Sequence, residues 1–149
     1  STAYEPWQNP YAMSKYAMEQ LEHPNSLGMR FTTVYGPGAR EHMLIPKILK
    51  NDIQYLNVNH TRDFIHVDDV VSAIDTILHK DVRGVIDVGT CISNKLVDIA
   101  DYFKIDYKSR IADETERLDN TANTEILNSL GWHAKINLYN YIEENKNVQ

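Results

Sequence analysis

A tyrosine and a lysine four residues apart are the first side chains in this sequence whose types and spacing could do chemistry. They are Tyr11 and Lys15, in the run Asn9-Pro10-Tyr11-Ala12-Met13-Ser14-Lys15. Proline suits the first turn of a helix, where its missing N–H goes unused. The run therefore predicts a helix from Tyr11 to about Leu21, ending before Pro24. Residues four apart share one helix face, which sets the ammonium of Lys15 near the phenol of Tyr11. A neighbouring positive charge favours the phenolate, and a phenol so placed can take or give a proton near neutral pH. The spacing alone is a weak signal in a chain with nine tyrosines.

The elements that must hold this pair follow from pattern. Gly28 to Val34 predicts a strand, closed by the turn Tyr35-Gly36-Pro37-Gly38. Short helices are predicted over Leu44–Leu49 and Leu96–Phe103, and a longer one over Val67–His79. Asp68 and Asp69 fall in the first turn of that longer helix, where they suit its dipole and are expected to cap it. Ile53–Leu56 and Asp63–Val67 read as extended, and Val85–Val88 as a buried strand closed by Gly89. Two more helices are predicted around Thr124–Leu130, ended by Gly131, and Leu138–Glu144. Helices and strands in alternation predict an α/β layered fold.

The chain has 149 residues, 42% apolar and 24% charged, with a formal net charge of -6. That length supports a real core. The acidic balance excludes nucleic acid or an anionic membrane as main partner, so an anionic ligand must be held by a few local cations. Cys91 is the sole cysteine, so no intrachain disulfide forms, which fits a cytoplasmic location. No apolar run reaches membrane-spanning length. His42, His60 and His133 have no partners at metal-ligand spacing, so no metal site is expected. His66, isolated in a strand, reads as structural.

Three blocks occur in order: Asn-Pro-Tyr-Ala-Met-Ser-Lys (9–15), Met-Arg-Phe-Thr-Thr-Val-Tyr-Gly-Pro-Gly-Ala-Arg (29–40) and Thr-Arg-Asp-Phe-Ile-His-Val-Asp-Asp-Val-Val (61–71). Together they resemble extended short-chain dehydrogenases/reductases of the nucleotide-sugar epimerase/dehydratase family. The run from Arg30 to Arg40 is most similar to UDP-glucuronate 4-epimerases. The resemblance implies the C-terminal part of a Rossmann-type parallel sheet domain plus a small α/β substrate-binding domain. It assigns 1–36 and 62–90 to the dinucleotide-binding part, and 37–61 and 91–149 to the nucleotide-sugar-binding part.

The resemblance also implies roles. Tyr11 is the general acid/base and Lys15 holds the nicotinamide ribose of NAD. Thr2 is the match to the hydroxyl residue that completes the triad, at a spacing shorter than usual. Arg62 contacts the nucleotide diphosphate, a role that suits a guanidinium with paired donors. Arg40 is a second phosphate candidate, Thr33 a sugar or diphosphate contact, and Tyr35 lies nearest the cofactor. The substrate is a nucleotide-sugar, a UDP-sugar foremost, and the helix of Tyr11 packs against its mate in a homodimer.

The family's glycine-rich turn for the NAD pyrophosphate has no counterpart among the six glycines, at 28, 36, 38, 84, 89 and 131. Asn57-Val58-Asn59-His60 stands where relatives carry a glycine-containing loop. The expectation is a chain lacking the first strands of the sheet, with the edge of the 28–34 strand uncovered. Two rival readings stand beside the epimerase: a keto-sugar-nucleotide reductase, and an inactive binding or assembly module.

Overall fold

The first strand of the sheet serves two neighbours in turn. In the computed structural model, which describes residues 4–21 and 25–146, the chain pairs from Leu27 onward with one partner and then switches to another. The strand expected over Gly28–Val34 is therefore two strands, β1 (Leu27–Phe31) and β2 (Thr33–Tyr35). The break falls at Thr32, whose N–H still reaches Val88 O, while the N–H of Thr33 reaches Asp63 O. Hydropathy cannot show such a hand-over, because apolar character continues across it.

Before β1 comes α1 (Pro10–Glu19), capped by the side chain of Asn9, which accepts from the N–H of Ala12 at 2.8 Å. Beyond β2 lie α2 (Leu44–Leu49), β3 (Tyr55–Asn57), β4 (Thr61–Arg62) and β5 (Phe64–His66). There follow α3 (Val67–Leu78), β6 (Gly84–Val88), β7 (Asn94–Lys95) and α4 (Leu96–Tyr102). The chain closes with β8 (Lys108–Arg110), α5 (Glu125–Ser129) and α6 (Leu138–Lys146). β1 pairs in parallel with β6, Met29 opposite Ile86; β2 pairs in parallel with β5, Val34 opposite Ile65. Helix α3 carries the chain from β5 to β6, the right element for joining parallel strands. β3 and β8 add a parallel pair, β4 and β7 a short antiparallel one. β4, β7 and β8 escaped the sequence reading because each is two or three residues of largely polar chain.

Two apolar cores result. One joins Ile65, Val70, Ala73, Ile77, Ile86 and Val88 with Leu127 and Trp132. The other gathers Ile48, Ile53, Leu56, Phe64, Leu96, Ile99 and Ile142 under α2, α4 and α6. Each fully buried Ile contributes about 1.5–3 kcal/mol by leaving water.

The expected capping by Asp68 and Asp69 needs correction. The cap is His66, whose Nδ1 accepts from the N–H of Asp68 at 3.2 Å. Asp69 is buried and accepts from the N–H groups of Lys135 and Ile136 at 3.0 and 2.9 Å, tying the approach to α6 onto α3.

A cationic cleft beside the Tyr11 helix

One buried carboxylate organises the ground beneath the cleft. Asp63, fully buried between β4 and β5, accepts from the N–H groups of Thr90, Cys91 and Ala122 and from the hydroxyl of Thr90 at 2.6 Å. The loop after β6 and the stretch before α5 are thus clasped to the start of β5. Gly89 makes the clasp possible: a Cβ there would sit 2.6 Å from Asp63 Oδ2 and 2.7 Å from Thr32 Cγ2. The N–H of Asp63 is held in turn by Asn120 Oδ1. Asp63 is therefore a scaffold residue, not a surface partner for Arg62.

Above this scaffold lies a cleft of about 1010 Å³ between α1 and β1. Tyr11, Lys15 and Glu19 face it from α1, every residue of β1 borders it, and Arg62, Arg117 and Asn120 close it from the other side. Among the described residues five cationic side chains line it, Lys15, Arg30, Arg62, Arg83 and Arg117, against one carboxylate, that of Glu19. The acidic chain gathers its cations here, as an anionic ligand requires. Among the described residues no strand pairs with the second edge of β1.

Tyr11 is 61% exposed, and the ammonium of Lys15 stands 5.3 Å from its ring centroid. Helix α1 is anchored at both ends: Asn9 Nδ2 donates to Thr115 O, and Arg30 on β1 grips Glu19 through two hydrogen bonds of 2.8 and 2.5 Å. Those bonds hold the Arg30 guanidinium above its ordinary pKa, so it stays charged. Arg30 also lies 4.2 Å from the ring of Tyr4, whose hydroxyl donates to Asp87.

Arg62 is half-buried. Its Nη1 donates to Thr61 O and Leu118 O at 2.6 and 2.9 Å, and its Nη2 to His60 Nδ1 at 2.9 Å. Burial pulls its pKa below the ordinary value, partly offset by Asp119 and Glu116. Arg117 reaches the same space, held by Asp119 O, with one buried nitrogen lacking a hydrogen-bond partner. Asp119 is raised by burial, yet bonds from Thr61, Thr121 and Ser93 outweigh that and hold it at about 2.

The structure thus brings Tyr11, Lys15 and Arg62 to one cleft. Thr33 stands behind it, its hydroxyl accepting from Asn120. Arg40 is exposed and is not among the residues that line this cleft. Tyr35, expected nearest the cofactor, is instead buried in a core: its hydroxyl donates to Ile136 O and its ring meets His66 and Tyr141 edge-on. Burial, and then the charge of Asp69, push its pKa well up. Thr2 lies outside the described residues. Asn120 escaped the sequence reading, which also gives Arg117 no role, because a long irregular stretch carries both to the cleft. Among the described residues no group of His, Cys, Asp and Glu could hold a metal, and no helix is long and apolar enough to cross a membrane.

Comparison with known proteins places the chain among relatives of similar sequence and fold. A family model described as the NAD dependent epimerase/dehydratase family matches residues 1–89. A CDP-abequose synthase of Salmonella muenchen is 31% identical over 85% of this chain and 48% of its own. The solved structure of MoeE5 with UDP-glucuronic acid and NAD superposes with a TM-score of 0.77 at 24% identity, covering 94% of this chain and 55% of the other. A UDP-glucuronic acid 4-epimerase of Bacillus cereus, solved with UDP-glucuronic acid and NAD, gives 0.75 at 20% identity over 94% and 52%. These structures share the Rossmann-type α/β fold. The chain spans about half the length of the curated relatives it matches over most of its own length.

Proposed function

Because the chain belongs to the NAD-dependent epimerase/dehydratase family, we propose that it forms the proton-transferring and substrate-gripping part of a nucleotide-sugar 4-epimerase. The observation that carries this reading is the meeting of Tyr11, Lys15 and Arg62 on one cationic cleft. The cofactor of the family is NAD, which when bound supplies hydride acceptance and return at the sugar carbon. The chain's residues fit one end of it. Lys15 offers donors to ribose hydroxyls beside Tyr11, and the cleft volume suits a ligand of this size.

In this reading Arg62 and Arg117 bind the diphosphate and orient the sugar. Tyr11 removes the proton of the 4-hydroxyl as that carbon is oxidised, and returns it when the carbon is reduced from the opposite face. Segments 1–36 and 62–90 belong in this reading to the dinucleotide-binding part, and 37–61 and 91–149 to the nucleotide-sugar-binding part, with Arg62 at their boundary. The substrate class is a UDP-sugar, as bound by MoeE5 and the Bacillus cereus epimerase. Two such chains pair through the outer face of α1, where Met13 and Tyr16 are exposed.

The test uses the gene product that carries this chain, with NAD and UDP-glucuronate. Sugar NMR should show inversion at C4 with no net change in NADH absorbance. Wild-type turnover by Tyr11→Phe would sink the assignment. The alternative reading is a keto-sugar-nucleotide reductase, for which the likeness to a CDP-abequose synthase over most of the chain suggests a CDP-sugar as ligand. It predicts one NAD(P)H consumed per CDP-keto-sugar reduced, and no inversion of UDP-glucuronate.

A further inference from the structure

His60 stands immediately behind Arg62, and its own backbone fixes where its ring can be. Its N–H donates to Asn57 O at 3.3 Å, and its carbonyl accepts from Leu96 N at the head of α4. The side chain is 3% exposed. Nδ1 lies 2.9 Å from Arg62 Nη2. A guanidinium has donors only, so Nδ1 must present a lone pair and the neutral ring carries its proton on Nε2. Nε2 is buried without a hydrogen-bond partner and faces Glu116 Oε2 at 3.8 Å. Glu116 is in turn held by Asn57 Nδ2.

We propose that His60 is the positioning residue for Arg62, and that it holds the guanidinium toward the cleft only while its imidazole is neutral. Adding a proton at Nδ1 turns the acceptor into a second donor and sets two cations in contact. Arg62 then loses one of the three bonds that fix its plane, and the donors left for a ligand lose their aim. The charged groups around His60 are few. Arg62 on β4 opposes its protonation, and Glu116 from the 113–121 stretch favours it. Arg117 and Asp119 act from the same stretch on Arg62, and Lys95 on β7 pairs with the neighbouring Thr61. Burial first, and then Arg62, keep the imidazole below its ordinary 6.5, so the latch is closed at neutral pH and opens on acidification.

The nature of the ligand rests on the proposed function; the latch itself does not. UDP-glucose suits the test, because its diphosphate has no group titrating near neutrality. Calorimetry from pH 8 to 5 should show wild-type affinity constant above about 6.5 and falling about tenfold or more below it. His60→Asn, which can still accept from Arg62 but cannot titrate, should bind with a flat profile. His60→Leu should bind more weakly at every pH, also with a flat profile. A His60→Leu variant that keeps the wild-type affinity and acid slope overturns the proposal. If UDP-glucose fails to bind even at pH 8, the functional reading fails, and imidazole nitrogen shifts decide the latch separately. A proton on Nε2 at neutral pH, and a ring pKa that rises in Arg62→Leu, uphold it; a proton on Nδ1 refutes it.

Discussion

Tyr11 touches little of the protein, which separates its chemistry from its structural cost. With the ring 61% exposed and Lys15 beside it, Tyr11→Phe should lower turnover by roughly 100-fold to 10,000-fold. The thermal midpoint of the variant should match wild type. Arg62→Lys keeps the charge but loses the planar set of donors. UDP-glucose affinity should fall about tenfold or more at pH 8, read by calorimetry. Tyr11, Lys15 and Arg62 could be read in the sequence because each sits within a short block whose spacing carries the information. His60 and Arg117 could not: their meaning lies in groups brought from elsewhere, Arg62 on the one hand and the cleft on the other. Tyr35 misled for the same reason. Its place next to a turn suggested exposure to a ligand, whereas α6 covers it with Tyr141.

At the scale of elements, the clasp of Asp63 is the feature on which most depends. Asp63→Ala would leave the N–H groups of Thr90, Cys91 and Ala122 without their acceptor and should cost roughly 3–5 kcal/mol. Urea unfolding measures it. Gly89→Ala meets the same clasp from outside and should cost about 2 kcal/mol or more by overpacking. Asp119 does for the 113–121 stretch what Asp63 does for its loops. Its folded-state pKa of about 2 lies below the ordinary 3.8, so its contribution is complete above the carboxylate range. Stability should fall as pH drops through that window, and Asp119→Asn should lose this part of the slope. The helices and the α/β class were legible because their apolar periods are strong. The split of β1 from β2 was not, since only the identity of the partner strand changes at Thr32.

At the scale of the whole molecule, α1 is the least embedded of the helices that matter. Only Ala12 of its ten residues is buried, and Met13 and Tyr16 face outward. A helix with so small a share of the core is stabilised mainly from outside. Met13→Lys with Tyr16→Glu should shift sedimentation from dimer to monomer if this face joins two chains; an unchanged, monomeric wild type would refute the pairing. Tyr11 and Lys15 thus ride on an element held by Asn9, which both caps it and donates to Thr115 O, and by one arginine–glutamate clamp. Its backbone amides should therefore exchange with deuterium sooner than those of α3 or β6, and should slow when the cleft is filled. Ligand capture and the local folding of α1 would then be one equilibrium, and amide exchange would report occupancy without any turnover.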